Sequence, residues 1–173
     1  MLRFERSLER RAGLNYNHRV ALSGAKHMLE LSRKSDYALR AVIYLARLNS
    51  DRFGRVSEIA KAKDIPQAFL AQILPILANH GVVKSQQGAH GGYALARTPG
   101  QITFLEVIEA VEGPLKLNRC VDGHHDDCSI VDACEMQSVW NTAQRQTVDF
   151  LNKVTMADML EAPHHPLVSI DPA

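Results

Sequence analysis

The sequence predicts a mainly α-helical fold carrying one small β-hairpin and a long C-terminal helix. Three observations predict it. Apolar residues recur at three- and four-residue spacing in separate stretches, as the buried stripe of a helix requires. Two β-prone segments flank a heptapeptide with three glycines, Gln86-Gln87-Gly88-Ala89-His90-Gly91-Gly92, which permits a hairpin with positive-φ positions. The last apolar stripe, from Met136 to Val154, is long enough for about five turns.

The elements follow in order. Residues 1–27 carry scattered arginines and no sustained apolar period, and are expected as a basic N-terminal extension. From Ser32, the residues Tyr37, Ala38, Ala41, Val42, Leu45 and Leu48 mark one face of a helix running to about Asn49. Ser57 offers an N-cap for a short helix from Glu58 to Lys63. After the connector Asp64-Ile65, Pro66 is expected in the first turn of a helix whose buried stripe is Phe69, Leu70, Ile73, Leu74 and Leu77. Pro75 is expected to kink that helix and Gly81 to end it as a left-handed cap. Val82–Ser85 and Tyr93–Ala96 form the hairpin strands, and Thr103-x-x-Glu106 is a capping box opening a helix through Val111, closed by Gly113-Pro114. Residues 114–135 hold all three cysteines. Residues 136–160 form the long helix plus a short one capped by Thr155-x-x-Asp158, and 161–173 a proline-bearing flexible tail.

Composition narrows the function. A chain of 173 residues, 46% hydrophobic, suits one ordinary core or a small domain with an appended dimerisation element. No apolar run approaches the ~20 residues of a membrane span, and nothing near Met1 resembles a secretory signal, so a cytoplasmic protein without a membrane partner is expected. The net charge of +1 is unevenly spread. Residues 1–27 carry six Lys/Arg against two Asp/Glu, residues 28–105 ten against five, and residues 106–173 four against twelve. A basic front and an acidic back suit a protein that meets a polyanion with one end. Neither a nucleophile motif, a phosphate-binding glycine loop nor a paired acid and base is legible, so an enzyme is not expected.

Helix, short helix, tight connector, longer helix and Gly-tipped hairpin is the order of a winged helix-turn-helix, residues 28–113, in which the third helix enters the major groove. Candidate contacts on that helix are Gln67 and Gln72, with Asn79 or His80, because amides pair bidentately with adenine edges. Lys84, Gln86, Gln87, His90 and Arg97 on or beside the hairpin are candidates for phosphates and the groove floor. Gly91 and Gly92 belong to the same set, since a side chain there is expected to hold the backbone off the DNA. The competing reading is a common three-helix scaffold whose surface Gln and Lys are only solvated.

The stretches LSRKSDYALRAVIYLA, IPQAFLAQILPILANHGVVKS, GAHGGYALAR and ITFLEVIEAVEG, in this order, resemble the Rrf2 family of bacterial regulators, which includes the iron-sulfur proteins of the IscR, NsrR and RirA types. The resemblance covers roughly residues 29–160. It implies a homodimer in which the long helix crosses its partner and two wings straddle a palindromic operator in double-stranded DNA. It also makes Met28 resemble the natural start.

The cysteines add a second theme. Cys120-x7-Cys128-x5-Cys134 sits between the winged unit and the long helix, beside Gly123, His124, His125, Asp126 and Asp127. Their clustering in one segment argues for metal or redox chemistry over a disulfide framework. Three readings remain open: an iron-sulfur cluster, structural zinc held by Cys3His with His124 or His125, and bare thiols, which can act as a thiol/disulfide switch. The family resemblance implies the first, with a 4Fe-4S cluster expected over 2Fe-2S and Cys120, Cys128 and Cys134 as ligands. In IscR-type members a histidine follows the third cysteine by three residues; here Gln137 stands there, so that ligand is missing. In NsrR-type members an aspartate early in the first helix of the partner subunit supplies the fourth bond, and Asp36 occupies the matching position. The alternative for Asp36 is an ordinary acid near a helix N-terminus, favoured by the dipole, with His124 or His125 the competing fourth ligand.

Overall fold

A computed structural model describes residues 31–48, 52–88, 91–118, 120–121 and 134–161. The expected extension 1–27, the tail from 162 onward, and His90, His124, His125 and Cys128 lie outside these residues.

The order of elements is α1 (Arg33–Ala46), α2 (Val56–Lys63), α3 (Gln67–Asn79), β1 (Val83–Gln86), β2 (Gly92–Leu95), α4 (Phe104–Glu112), α5 (Gln137–Lys153) and α6 (Asp158–Glu161). Ser32 caps α1, its hydroxyl accepting from the N–H groups of Lys34 at 3.1 Å and Ser35 at 3.4 Å. The helix stops at Ala46, short of Asn49, and Leu48 follows in a turn whose N–H bonds the Leu45 carbonyl. The second helix starts earlier than the Ser57 cap implied. Arg55 is its N-cap, and the Glu58 carboxylate reaches back 3.3 Å to the Arg55 N–H, so an acid three residues into the helix, not Ser57, fixes the start. Asp64 ends α2 in the left-handed region at φ 52°, and the Ile65 N–H closes on the Ala60 carbonyl at 3.0 Å. This tight reversal sets α2 against α3.

Pro66 is the N-cap of α3, one place before the first turn; its extended ψ of 131° turns the chain out of the connector. Pro75 lies inside α3, which is nonetheless continuous. Gly81, at φ 69°, ends it with the paired bonds expected of such a cap: Gly81 N–H to the Ala78 carbonyl and Val82 N–H to the Leu77 carbonyl, both 3.0 Å. The strands are antiparallel, with Val83 opposite Leu95 and Gln86 opposite Gly92. Both are one residue displaced from expectation: pairing begins at Val83, and Arg97 and Ala96 already belong to the exit from the hairpin. Gly54 adds a bridge on the far side of β2, exchanging bonds of 2.8 and 2.9 Å with Tyr93.

Thr103 caps α4 by accepting from the Glu106 N–H at 3.1 Å, while the Glu106 carboxylate turns away to Arg97. The end of α5 returns to the start of α4: Phe104 N–H bonds the Val154 carbonyl at 2.8 Å and Met156 N–H the Ile102 carbonyl at 2.9 Å. Thr155 and Asp158 then cap α6 reciprocally. Those bonds from the Thr155 N–H and hydroxyl hold the Asp158 carboxyl below its ordinary range. A depressed acid of this kind adds stability above its unfolded pKa, which is lost as pH falls through the folded one.

The core is the meeting of α1, α3 and α4. Ala38, Ala41 and Val42 on α1, Leu70, Leu74 and Leu77 on α3, and Val107 and Ile108 on α4 have no exposed surface. Two alanines facing inward let the neighbouring helices approach α1 closely. Phe69 departs from the expected stripe: it is 43% exposed and rests edge-on against Tyr37, ring centroids 5.4 Å apart. The apolar stripe of α5 is likewise only partly used within the chain. Met136, Val139 and Phe150 are exposed, and the one buried residue of that helix is Gln144.

Because Asp64 must hold a positive φ, Asp64→Val should destabilise the chain by about 1–2 kcal/mol in urea unfolding, whereas Asp64→Asn and Asp64→Gly should be tolerated.

Candidate functional site

The outward face of α3 is set by which side chains its neighbours bury. With Leu70, Ile73, Leu74 and Leu77 turned to the core, Ala68, Gln72, Pro75 and Asn79 point the opposite way, flanked by Gln67 and Ala71, and all six are exposed. Gln67, Gln72 and Asn79 therefore stand where a groove-reading helix would need them. His80 is tied to its own helix, with Nδ1 2.9 Å from the Ile76 carbonyl. The sequence reading missed three cations near one another on α1, its C-cap and α2. Lys63 on α2 has its pKa lowered by partial burial and then by the neighbouring Arg47 and Arg40 of α1. The seven-residue interval between Arg40 and Arg47, two turns of one helix, was the available signal.

The hairpin presents Gln86 and Gln87 to solvent, while the Lys84 ammonium lies 5.8 Å from the centre of the Phe53 ring. A cation over an aromatic face is held loosely enough to swing to a phosphate. The two glycines have a reason different from the expected close approach to DNA. A Cβ on Gly91 would lie 2.3 Å from the Gln86 carbonyl oxygen, and one on Gly92 2.4 Å from the Gly54 carbonyl oxygen. The chain's own backbone fills both spaces, so these residues are demanded by the hairpin itself. Arg97 is exposed but tied down. Its guanidinium donates to the Gln101 carbonyl at 3.0 Å and the Gly81 carbonyl at 3.4 Å, and pairs with Glu106. It joins the end of α3 to the start of α4, so this surface cation also has a structural role.

Cys120 and Cys134 are free thiols of intermediate exposure. The stretch leading to Cys120 is fastened from two sides: the Leu115 N–H donates to the Glu109 carboxylate at 3.0 Å, and the Gln144 amide takes both the Leu115 carbonyl at 2.6 Å and the Leu117 N–H at 2.9 Å. Val121, next to Cys120, is fully buried. Cys134 sits just before α5, its carbonyl accepting from the Gln137 N–H at 3.3 Å. Both ends of the cysteine segment are thus mounted on α5, one through Gln144 and one through the chain. The segment's upstream root is also held to α1, because the Glu112 carboxylate accepts from the hydroxyls of Ser35, at 2.8 Å, and Ser32, and the Lys34 ammonium donates to the Val111 carbonyl at 2.6 Å.

Asp36 is on the first turn of α1, half-exposed, its carboxylate forked by Arg40 at 2.8 and 3.0 Å. The structure does not bring it together with Cys120 and Cys134: among the described residues no three His, Cys, Asp or Glu side chains converge as a metal would need. The donor chemistry nonetheless fits an iron-sulfur group, since unpaired thiols are its usual ligands and an exposed ion pair worth about 0–1 kcal/mol is a small barrier to recruiting a carboxylate. Among the described residues no helix is long and apolar enough to cross a membrane.

Comparison with known proteins gives this arrangement a context. The chain is 38% identical over 125 residues to a protein of Aquifex aeolicus described as a putative HTH-type transcriptional regulator, covering 72% of this chain and 86% of that one. It is 29% identical over 137 residues to the transcriptional regulator NsrR of Bacillus licheniformis, covering 79% of this chain and 96% of NsrR. Among solved structures it resembles CymR, the global cysteine regulator of B. subtilis, with a TM-score of 0.63 and 27% identity over 76% of this chain and 95% of CymR. IscR of T. potens is similar with a TM-score of 0.63 and 28% identity, over 82% of this chain and 93% of IscR. The family model described as an iron-dependent transcriptional regulator matches residues 31–162, and with the winged architecture already in place the chain belongs to the Rrf2 family of DNA-binding transcription regulators and is not an enzyme.

Proposed function

We propose that this regulator works as a homodimer on a palindromic operator, and that its hold on DNA is set by an iron-sulfur cluster ligated by Cys120, Cys128 and Cys134 of one protomer and Asp36 of the other. The observation that carries the reading is the mounting of the cysteine segment: two free thiols, Cys120 and Cys134, on a segment fastened at both ends to α5. The similarity to NsrR and IscR supports the cluster, and the resemblance favours its four-iron form. Such a group supplies thiolate-bound iron that oxygen, nitric oxide or iron scarcity can remove.

This chain's residues do the rest. Asp36 exchanges Arg40 for the ligand position, and because α1 is the helix against which α3 packs, a bond at Asp36 constrains the angle of the winged unit. The exposed Met136, Val139 and Phe150 supply the apolar face on which a second copy of α5 settles. Amides on α3 and the hairpin meet the grooves, while Lys84 and the cluster of Arg40, Arg47 and Lys63 meet phosphates. The second reading is a cluster-free thiol/disulfide switch of Cys120, Cys128 and Cys134, favoured by the likeness to a global cysteine regulator and by the free thiols themselves.

Anaerobic purification separates the two. A brown protein with near-stoichiometric iron and sulfide is expected; a colourless, iron-free one would overturn the cluster and support the switch. Asp36→Ala is expected to alter both the visible spectrum and cluster-dependent DNA binding, and no change in either would remove Asp36 from the ligand set. Val139→Glu should convert the dimer to monomer in sedimentation velocity, because a charge placed in an apolar contact is left unpaired. Lys63→Ala should weaken operator and random duplex alike and flatten the dependence of affinity on salt by roughly one counterion.

A further inference from the structure

The thirteen residues of α3, QAFLAQILPILAN, contain no charged side chain, and the face opposite its buried leucines carries only amides, alanines and a proline, with the partly exposed Phe69 to one side. This is unusual for a helix that must identify a base sequence. Each base pair shows the major groove a different edge, and side chains read those edges by type. Arg and Lys pair with guanine, and Asp and Glu accept from cytosine; α3 has none of them. Gln pairs bidentately with adenine, and apolar groups pack on the thymine methyl. On α3, Gln72 lies at the centre of the exposed face with Ala68 and Ala71 one turn or less away and Pro75 beyond it. The two alanines have a second effect, since their size lets the helix axis come near enough for Gln72 to reach a base edge.

We infer that the bases facing α3 in each half-site are A·T pairs, with Gln72 the residue that selects adenine and Ala68, Ala71 and Pro75 a surface that favours the neighbouring thymine methyls. The inference rests on the reading of α3 as the groove helix, and it assigns that helix a base-pair class. Any guanine fixed in the operator is then read by another element or by DNA shape.

The test is selection of duplexes from a randomised library by the full-length protein, purified anaerobically and assayed both before and after exposure to air, followed by affinity measurement at one fixed salt concentration. Half-sites with A·T at the positions facing α3 are expected, and replacing the adenine opposite Gln72 with guanine should weaken binding by about tenfold or more. Gln72→Ala should abolish that discrimination while leaving the salt dependence unchanged, and Gln72→Arg should shift the preference at that one position toward guanine. Gln72 is exposed, so neither change threatens folding; thermal midpoints close to that of the parent protein would verify this. Consensus sites with G·C opposite α3, or a preference unmoved by both variants, overturn the inference alone. A library that yields no consensus in either state overturns the groove reading of α3 and the inference with it.

Discussion

Everything in the winged unit is placed by the packing around α1. Its inner face is built from Ala38, Ala41 and Val42, none with any exposed surface, and it receives α3 on one side and α4 on the other. Larger groups at the two alanines would push the helices apart, since interiors are packed too densely to absorb added volume without strain. The exposed face of α3 is therefore aimed by residues that never meet solvent. The same helix carries, on its first turn, the Ser32 and Ser35 hydroxyls that grip Glu112 and the carboxylate of Asp36. A single helix thus touches α3, the exit of α4 and the candidate ligand position.

The cysteine segment is joined to that frame through polar contacts. Gln144 presents its amide to the backbone of Leu115 and Leu117 as a neighbouring strand would, and Glu109 completes the set. Buried amide contacts of this kind are directional, and leaving one partner unsatisfied costs about 1–3 kcal/mol, so the root of the segment has one favoured position relative to α5. A change of state at the thiols has a short, stiff route to the helix that carries the exposed apolar face.

Local chemistry was legible in the sequence. Gly81, Thr103 and Thr155 act at the helix ends as expected, because a cap is made by groups within a few residues of one another, although Arg55 displaces Ser57 at the start of α2. The order of helices and hairpin followed from periodicity for the same reason. Contacts between distant parts of the chain were not legible. Arg97 read as a surface cation and is one, but it is also bound to Gly81, Gln101 and Glu106; Gly91 and Gly92 read as clearance for DNA and are required by the Gln86 and Gly54 carbonyls. Nothing near Gln144 in the sequence marks it as the residue that binds Leu115 and Leu117. Phe69 fell on the expected apolar spacing yet lies at the edge of the core, where Tyr37 covers only part of it. At the candidate site, the positions of Gln67 and Gln72 followed directly from the spacing of the buried leucines, whereas the pairing of Asp36 with Arg40 depended on a choice between partners that spacing alone does not make.

The bridge between Gly54 and Tyr93 bears on the behaviour of the hairpin in a crowded solution. A two-stranded ribbon standing out from a protein exposes two rows of unpaired backbone groups, each a template on which another molecule can add a strand. Here one of β2's own bonding positions is already occupied by Gly54, and β1, at the other edge, is only four residues long and bears Lys84. Short length and a lysine are both features that discourage edge-to-edge aggregation. The hairpin can project into solvent without becoming adhesive to its own kind.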